Sequence, residues 1–359
     1  MRIGIFDPYL NTLSGGEKYM LTIASCLAIE NEVLVFWDET QETEIKRIAS
    51  KKLGLDLSGI KFTGNIFAKD VSTVSRLIES NKFDAIVYLS DGSIPMVGTK
   101  LYVHFQFPVE WVNGQSLKTK VKLSFVKKIF CNSKFTKKFI DNKLNVRSEI
   151  LYPPIDLHVV KGVKKENIVL HVGRFDVNEQ GVNYKKQDVM IDIFKEMVDS
   201  GLKDWKFKLI LGVADKDQDK LGEYRKMIKG YPVELIVNIS NQELWEHYSK
   251  SKIYWHATGY GEDDEISPEK NEHFGITIVE AMSYGVIPVV INKGGVPEII
   301  VEEENGFLWE NEGECIDKTV RIIKDGALRN SMISYGIKQA RKYSVEKFYE
   351  GFKKFFEEI

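Results

Sequence analysis

Short β-branched or aromatic runs alternate with helix-period segments along the whole chain, and this alternation limits the fold more than any other feature. In the first half the predicted strands are Arg2–Phe6, Val33–Trp37, Ile60–Phe62, Ala85–Leu89, Leu101–Phe105, Ile129–Cys131 and Glu149–Tyr152. Helical stretches separate them, such as Glu17–Glu30, where Tyr19, Met20, Ile23 and Leu27 share one face. Parallel strands need such crossovers, so the pattern predicts βαβ units and mainly parallel sheets. It restarts near Ile168, with strands Ile168–Val172, Lys206–Leu211, Val233–Val237, Ile253–Trp255 and Ile287–Ile291. Pro153–Glu166, opening on Pro-Pro, reads as the linker. Two doubly wound α/β domains are expected, 1–160 and 161–344, within the reach of 359 residues. After Ser344, a helix cap, Val345, Phe348, Tyr349, Phe352, Phe355, Phe356 and Ile359 recur on one helical face. That final helix, 345–359, either packs on its own domain or crosses back to the first.

Composition narrows the class of partner. A formal net charge of −2 exerts no global pull on nucleic acid, and no nucleic-acid module is recognisable, so no such partner is expected. Cys26, Cys131 and Cys315 are odd in number and far apart, which argues against a disulfide framework or zinc site and fits a reducing compartment. The chain enters a strand at once, and no apolar run approaches the roughly 20 residues of a spanning helix, so a cytoplasmic location is expected.

Two early motifs mislead. Leu13-Ser14-Gly15-Gly16-Glu17 looks like the signature loop of ATP-binding-cassette ATPases, yet no G-x-x-x-x-G-K-[ST] loop precedes it. No G-x-G-x-x-G follows the first strand either, so a dinucleotide-binding domain lacks its fingerprint. What remains is a Gly-Gly turn opening a helix, either a plain strand–helix turn or a place where backbone meets an anion.

The strongest signal is Asn271-Glu272-His273-Phe274-Gly275-Ile276-Thr277-Ile278-Val279-Glu280, running on to Gly285 and the strand Val286–Val290. Gly275 permits a tight turn, and Ile276–Tyr284 reads as a helix whose first amides favour phosphate. Glu272 before the turn and Glu280 one turn in can bracket a ligand bearing vicinal hydroxyls.

This segment resembles the glutamate–seven residues–glutamate motif of retaining glycosyltransferases of family four (group 1), which have the GT-B fold. Tyr102–Phe105, Asn132–Thr136, Tyr152–Asp156, His171–Phe175, Lys185–Asp188 and Gly294–Glu298 match that family in order. The wording Asn271–Ile276 is also similar to mannosyltransferases acting on lipid-linked oligosaccharides. The resemblance implies two Rossmann-like domains facing across a cleft, a nucleotide-diphosphate sugar donor, and a glycan or lipid-linked acceptor. It further implies that Arg174 and Lys185 neutralise the diphosphate, Glu280 holds the ribose, and Glu272 holds the transferred sugar. Amides near Gly275, Ile276 and Thr277 would meet the phosphates, His104 the sugar, and Gly16 the phosphates through its backbone. Either Lys185 or the adjacent Lys186 could be the working lysine. No cofactor and no metal are implied, because the two cations can stabilise the leaving group themselves. A GT-B epimerase or phosphorylase, or a non-catalytic nucleotide-sugar binder, would share this cleft.

Bland readings stand beside these. His104 ends a strand and also suits a core histidine; His171 and His256 read as structural. The family pattern is shorter than this chain at Phe175–Tyr184 and at Ala257–Lys270, where Glu262, Asp263, Asp264 and Glu265 read as a solvated loop rather than a metal site. Between Gln115 and Arg147 ten basic residues, Lys118 through Arg147, face only Asp141, with Leu117, Val121, Phe125, Phe135 and Phe139 interleaved. They form either an ordinary solvated surface or a face that docks on anionic membrane lipid, which would make the protein peripheral on the inner face.

Overall fold

The computed structural model describes all residues except Glu39, Thr40, Glu110, Asn113, 159–161, Glu179, Gln180, Glu358 and Ile359, and the side chain of Glu357. Ile359 of the aromatic stripe, the middle of the expected linker and part of the 175–184 loop therefore lie outside the described residues. The chain divides into two compact units, Met1–Pro154 with Val345–Ile359, and Ile155–Ser344.

The first unit runs β1 (Arg2–Phe6), α1 (Gly15–Ala28), β2 (Glu32–Phe36), α2 (Glu42–Leu53), β3 (Ile60–Thr63), α3 (Thr73–Ser80), β4 (Ala85–Leu89), β5 (Lys100–Phe105), α4 (Leu117–Leu123), β6 (Val126–Cys131), α5 (Lys134–Leu144) and β7 (Glu149–Ile150). Its sheet is parallel, in the order β3-β2-β1-β4-β5-β6-β7. Strands such as β4, buried at every position, read as continuous apolar runs because helices cover both faces. One apolar layer gathers Ile3, Ile5, Met20, Ile23 and Val33, and a second gathers Phe36, Ile86, Phe105 and Ile140.

The second unit runs β8 (Ile168–Phe175), α6 (Gln187–Asp199), β9 (Lys206–Val213), α7 (Leu221–Met227), β10 (Val233–Val237), α8 (Asn241–Lys250), β11 (Ile253–His256), α9 (Ile276–Ser283), β12 (Ile287–Ile291), β13 (Phe307–Trp309), α10 (Glu312–Lys324) and α11 (Gly326–Ala340). Its parallel order is β10-β9-β8-β11-β12-β13. β13 is a strand that the periodicity does not predict, since three residues are too few to show a period of two.

The last helix, α12 (Val345–Glu357), belongs to the first unit: Phe348, Phe352, Phe355 and Phe356 lie in the same apolar layer as β1 and α1. The division at Pro154 falls six residues before the expected boundary at 160. Ile155 is already held by the second unit, its amide bonded to the Tyr343 carbonyl at 2.8 Å.

Candidate functional site

In each sheet the strand order reverses at one place, between β1 and β4 and between β8 and β11. Ligands of open α/β sheets sit outside the carboxyl ends of the strands at such a reversal. In the second unit the register explains the opening. β8 pairs with β9 as far as Phe175, but with β11 only at Ile253↔Val169 and Tyr254↔Leu170. Beyond that point side chains replace the ladder. His171 Nδ1 lies 3.0 Å from the Trp255 carbonyl, and the Tyr254 hydroxyl lies 3.1 Å from the Val172 carbonyl and 2.7 Å from Thr277 Oγ1. Burial pushes His171 down to about 3, so the ring is neutral. With Nδ1–H donating to Trp255, Nε2 is left to accept from Gln187 Nε2 at 3.3 Å. The same Gln187 amide lies 2.9 Å from the Arg174 carbonyl, and Asn183 Nδ2 donates to Gln187 Oε1 at 2.6 Å. The Arg174 backbone is thereby fixed while its side chain is exposed at the end of β8.

Asn183 also fixes the next cation. Its Oδ1 accepts from the Lys185 amide at 2.9 Å, ahead of the left-handed Lys186 (φ 53°) that starts α6. The two lysines then part. Lys185 Nζ reaches Glu272 Oε2 at 2.9 Å, whereas Lys186 Nζ reaches Glu262 Oε1 at 2.9 Å. Glu272 Oε2 also takes His256 Nε2 at 3.0 Å. Burial pushes the Glu272 carboxyl up, but the Lys185 charge and the bonds from His256 and Lys185 outweigh it and hold the group well below its ordinary 4.5. His256 is pushed down by its own burial, against the pull of Glu272.

Gly275 stands at φ 110°, and a Cβ there would sit 2.8 Å from Ile278 Cδ1, so only glycine turns the chain from Glu272 into α9. The first amides of α9 have no acceptor within the helix. Glu280, one turn on, accepts the hydroxyl of buried Tyr248 at 3.1 Å. The motif backbone rests on the later Gly-Gly pair. A Cβ on Gly294 would lie 2.2 Å from the Glu272 carbonyl, and the Gly295 amide donates to that carbonyl at 2.7 Å.

The acidic insertion is occupied by its own side-chain bonds. Glu262 bonds Lys186 and Lys270, Asp263 caps the amides of Glu265 and Ile266, and Asp264 faces Lys293. Among the described residues no group of three or more His, Cys, Asp or Glu side chains could hold a metal ion.

In the first unit the misleading Ser14–Glu17 segment is the start of a helix. Glu17 Oε2 accepts from the Ser14 amide at 2.6 Å, as in a capping box, and also from the Thr12 hydroxyl at 2.6 Å. The Gly16 carbonyl accepts from Gln106 Nε2 at 3.0 Å. His104 is fully buried, stacked between Tyr19 (4.3 Å) and Phe130 (4.4 Å), with Nδ1 3.1 Å from the Phe130 carbonyl. Burial pushes it down to about 3, and its Nε2 has no partner among the described residues.

The structure thus brings Lys185 to Glu272 ahead of Gly275, Ile276 and Thr277, with Glu280 one turn on and Arg174 at the end of β8, turns Lys186 to Glu262, and places Gly16 and His104 in the first unit. Sequence reasoning passed over Asn183, Gln187, Tyr248 and Tyr254, and read His256 as structural. The one available signal for His256 was its place at a strand's carboxyl end, on the segment leading into the motif.

Two parallel-sheet Rossmann-like units of this kind define the GT-B architecture. The Anabaena protein HepE, solved in complex with UDP, superposes with a TM-score of 0.77 over 100% of both chains at 17% identity, a likeness of fold. In sequence, an uncharacterized glycosyltransferase of Methanocaldococcus jannaschii is 28% identical over 236 residues, covering 65% of this chain and 60% of that protein. The GDP-Man:Man(3)GlcNAc(2)-PP-Dol alpha-1,2-mannosyltransferase of Xenopus laevis is 30% identical over 187 residues, covering 47% of this chain and 35% of that protein. The chain therefore spans less than two thirds of either relative. Residues 156–339, more than half of the chain, match the family described as Glycosyl transferases group 1, and the chain belongs to that family.

Proposed function

We propose that the protein is a retaining hexosyltransferase that moves a sugar from a nucleotide-diphosphate donor to a glycan or lipid-linked acceptor. The observation that carries this reading is Lys185 paired with Glu272 just ahead of α9, with Glu280 one turn into that helix and Arg174 at the carboxyl end of β8, at the reversal of the second sheet. Arg174 and Lys185 would stabilise the departing diphosphate, and the amides at Gly275, Ile276 and Thr277 would bind the same group. Glu280 would accept from the ribose hydroxyls, and Glu272 from those of the transferred sugar. The acceptor hydroxyl attacks on the face that the phosphate vacates, and a phosphate oxygen takes its proton. Two cations would supply this charge without a metal or other cofactor, so full activity is expected in excess chelator.

A thermal-shift screen of nucleotide sugars tests the donor assignment. A ligand at 100 times its dissociation constant adds roughly 2.7 kcal/mol of stability. Nucleoside diphosphate should appear only when an acceptor is present; its absence with every acceptor, despite tight donor binding, would favour a non-catalytic binder. Retention is read from the anomeric configuration of the product.

The lipid-linked acceptor is favoured by the activity named for the Xenopus relative and by the basic face. α4 has no buried residue, and Trp111, Leu117, Val121 and Phe125 are 65%, 78%, 45% and 53% exposed. Lys118, Lys120 and Lys127 are exposed among them. The face is narrower than the lysine count suggested. Lys128 pairs with Glu149 and lies over Phe355, Lys137 pairs with Asp141, and Phe135 packs inward. Among the described residues no helix is long and apolar enough to cross a membrane. A cytoplasmic protein peripheral on the inner leaflet would dock through α4, at about 1 kcal/mol per basic residue. Co-sedimentation with anionic vesicles should weaken from 0.1 M to 1 M salt, as the Debye length falls from about 10 Å to about 3 Å. It should also weaken in a variant combining Lys118→Glu, Lys120→Glu and Leu117→Asp. A wild-type protein that ignores anionic vesicles at low salt would point to a soluble acceptor.

A further inference from the structure

Glu272 has two partners in the site, and only one of them is free to stay when a donor arrives. Lys185 Nζ and His256 Nε2 both meet Oε2, at 2.9 and 3.0 Å. On the donor chemistry proposed above, a diphosphate adds negative charge beside Lys185 and draws the ammonium away from the carboxylate. His256 has no such competing attraction. It is 2% exposed at the end of β11, which is hydrogen-bonded to β8 and β12 on either side. Thr258 Oγ1 lies 3.2 Å from Nε2, and the neutral His171 ring centre is 6.3 Å away. A neutral imidazole offers one N–H, and a carboxylate can only accept it.

A second observation sets this ring apart from a histidine kept for packing. Its Nδ1 is buried with no hydrogen-bond partner among the described residues. A buried polar atom without a partner is costly, and an apolar side chain of similar size would avoid that cost. His171, on the adjacent strand β8, has both ring nitrogens occupied by Trp255 and Gln187. The bond that His256 does make runs to a carboxylate of the motif.

We infer that His256 is a positioning residue for sugar transfer: its Nε2–H holds Glu272 aimed at the transferred hexose while Lys185 turns to the diphosphate. This inference rests on the donor assignment, and the test separates the two. Binding of UDP and GDP, and turnover of UDP-glucose and GDP-mannose, are compared in wild type, His256→Phe and His256→Gln. A glutamine can place an amide N–H near the position of Nε2, whereas phenylalanine keeps the ring and loses the donor. Diphosphate affinity should stay within about twofold in both variants, because Arg174, Glu280 and the α9 amides are untouched. Turnover number with the preferred donor should fall about tenfold to a hundredfold in the Phe variant, the loss of one hydrogen bond to a charged group. Glutamine should restore most of it. Wild-type turnover in a folded Phe variant overturns the inference, and so does a folded Gln variant that remains a hundredfold impaired. Should Phe fail to fold, the Gln variant alone decides on the same criterion. If wild type binds neither diphosphate, the donor assignment itself falls and this inference with it.

Discussion

Replacing Arg174 with alanine should lower kcat/KM for the donor by about 10²–10³-fold and leave the fold as it is. The size follows from what the guanidinium would do. A preorganised donor aimed at charge that develops in the transition state is worth about 2.7–4 kcal/mol by single-residue removal. Stability should move by no more than about 0.5 kcal/mol, because the side chain is exposed and lies outside the apolar core. Its backbone is held independently, through the Gln187 amide on its carbonyl, so alanine inherits the same main-chain geometry. Arg174→Lys should land between the two, since an ammonium keeps the charge but not the planar fork that matches a phosphate. Steady-state kinetics with a thermal melt as fold control decide the matter. Wild-type kcat/KM in the folded alanine variant would remove Arg174 from the site.

Much of this arrangement was legible before any coordinates. The doubly wound class follows from alternation alone, because strands such as Ile86–Leu89 are apolar at every position and helices must cover both faces. Arg174, Lys185, Glu272 and Glu280 came from an ordered set of short motifs, and a strand-to-helix turn at Gly275 is written in the residue that only glycine can fill. The choice between Lys185 and Lys186 was not legible. It depends on a left-handed residue at 186 that sends adjacent side chains to Glu272 and Glu262. The contact of His256 with Glu272 was not legible for a related reason. Strand periodicity reports that a side chain is buried, but not that a carboxylate sixteen residues on will turn back to meet it. The basic face shows the converse failure, since lysine count overstates a surface when Lys128 and Lys137 are spent on partners within the first unit.

The final helix offers the largest expected loss of stability. Its aromatic stripe was readable, but which domain it covers was not, because periodicity identifies an apolar face and not its target. In the structure Phe348 meets Tyr19 at 5.2 Å between ring centres, Phe356 meets Tyr102 at 4.9 Å, and Phe355 meets Phe130 at 4.9 Å. Lys128 closes this edge, donating to the Phe355 carbonyl at 3.2 Å. Phe352 is 1% exposed among these rings. Phe352→Ala should therefore cost about 3–5 kcal/mol, the range for a buried aromatic whose cavity cannot fully collapse. For a domain of this size each kcal/mol shifts Tm by about 2–4 °C, so calorimetry should show a transition displaced by roughly 10 °C. Hydrogen exchange would then locate the loss. Amides of β1, β2 and β5 should exchange faster, while those of β8, β11 and β12, which share no apolar layer with α12, should keep their protection. An unchanged Tm would mean that the helix only lies against the first sheet, and protection lost from β8 and β11 instead would mean that it stabilises the other unit.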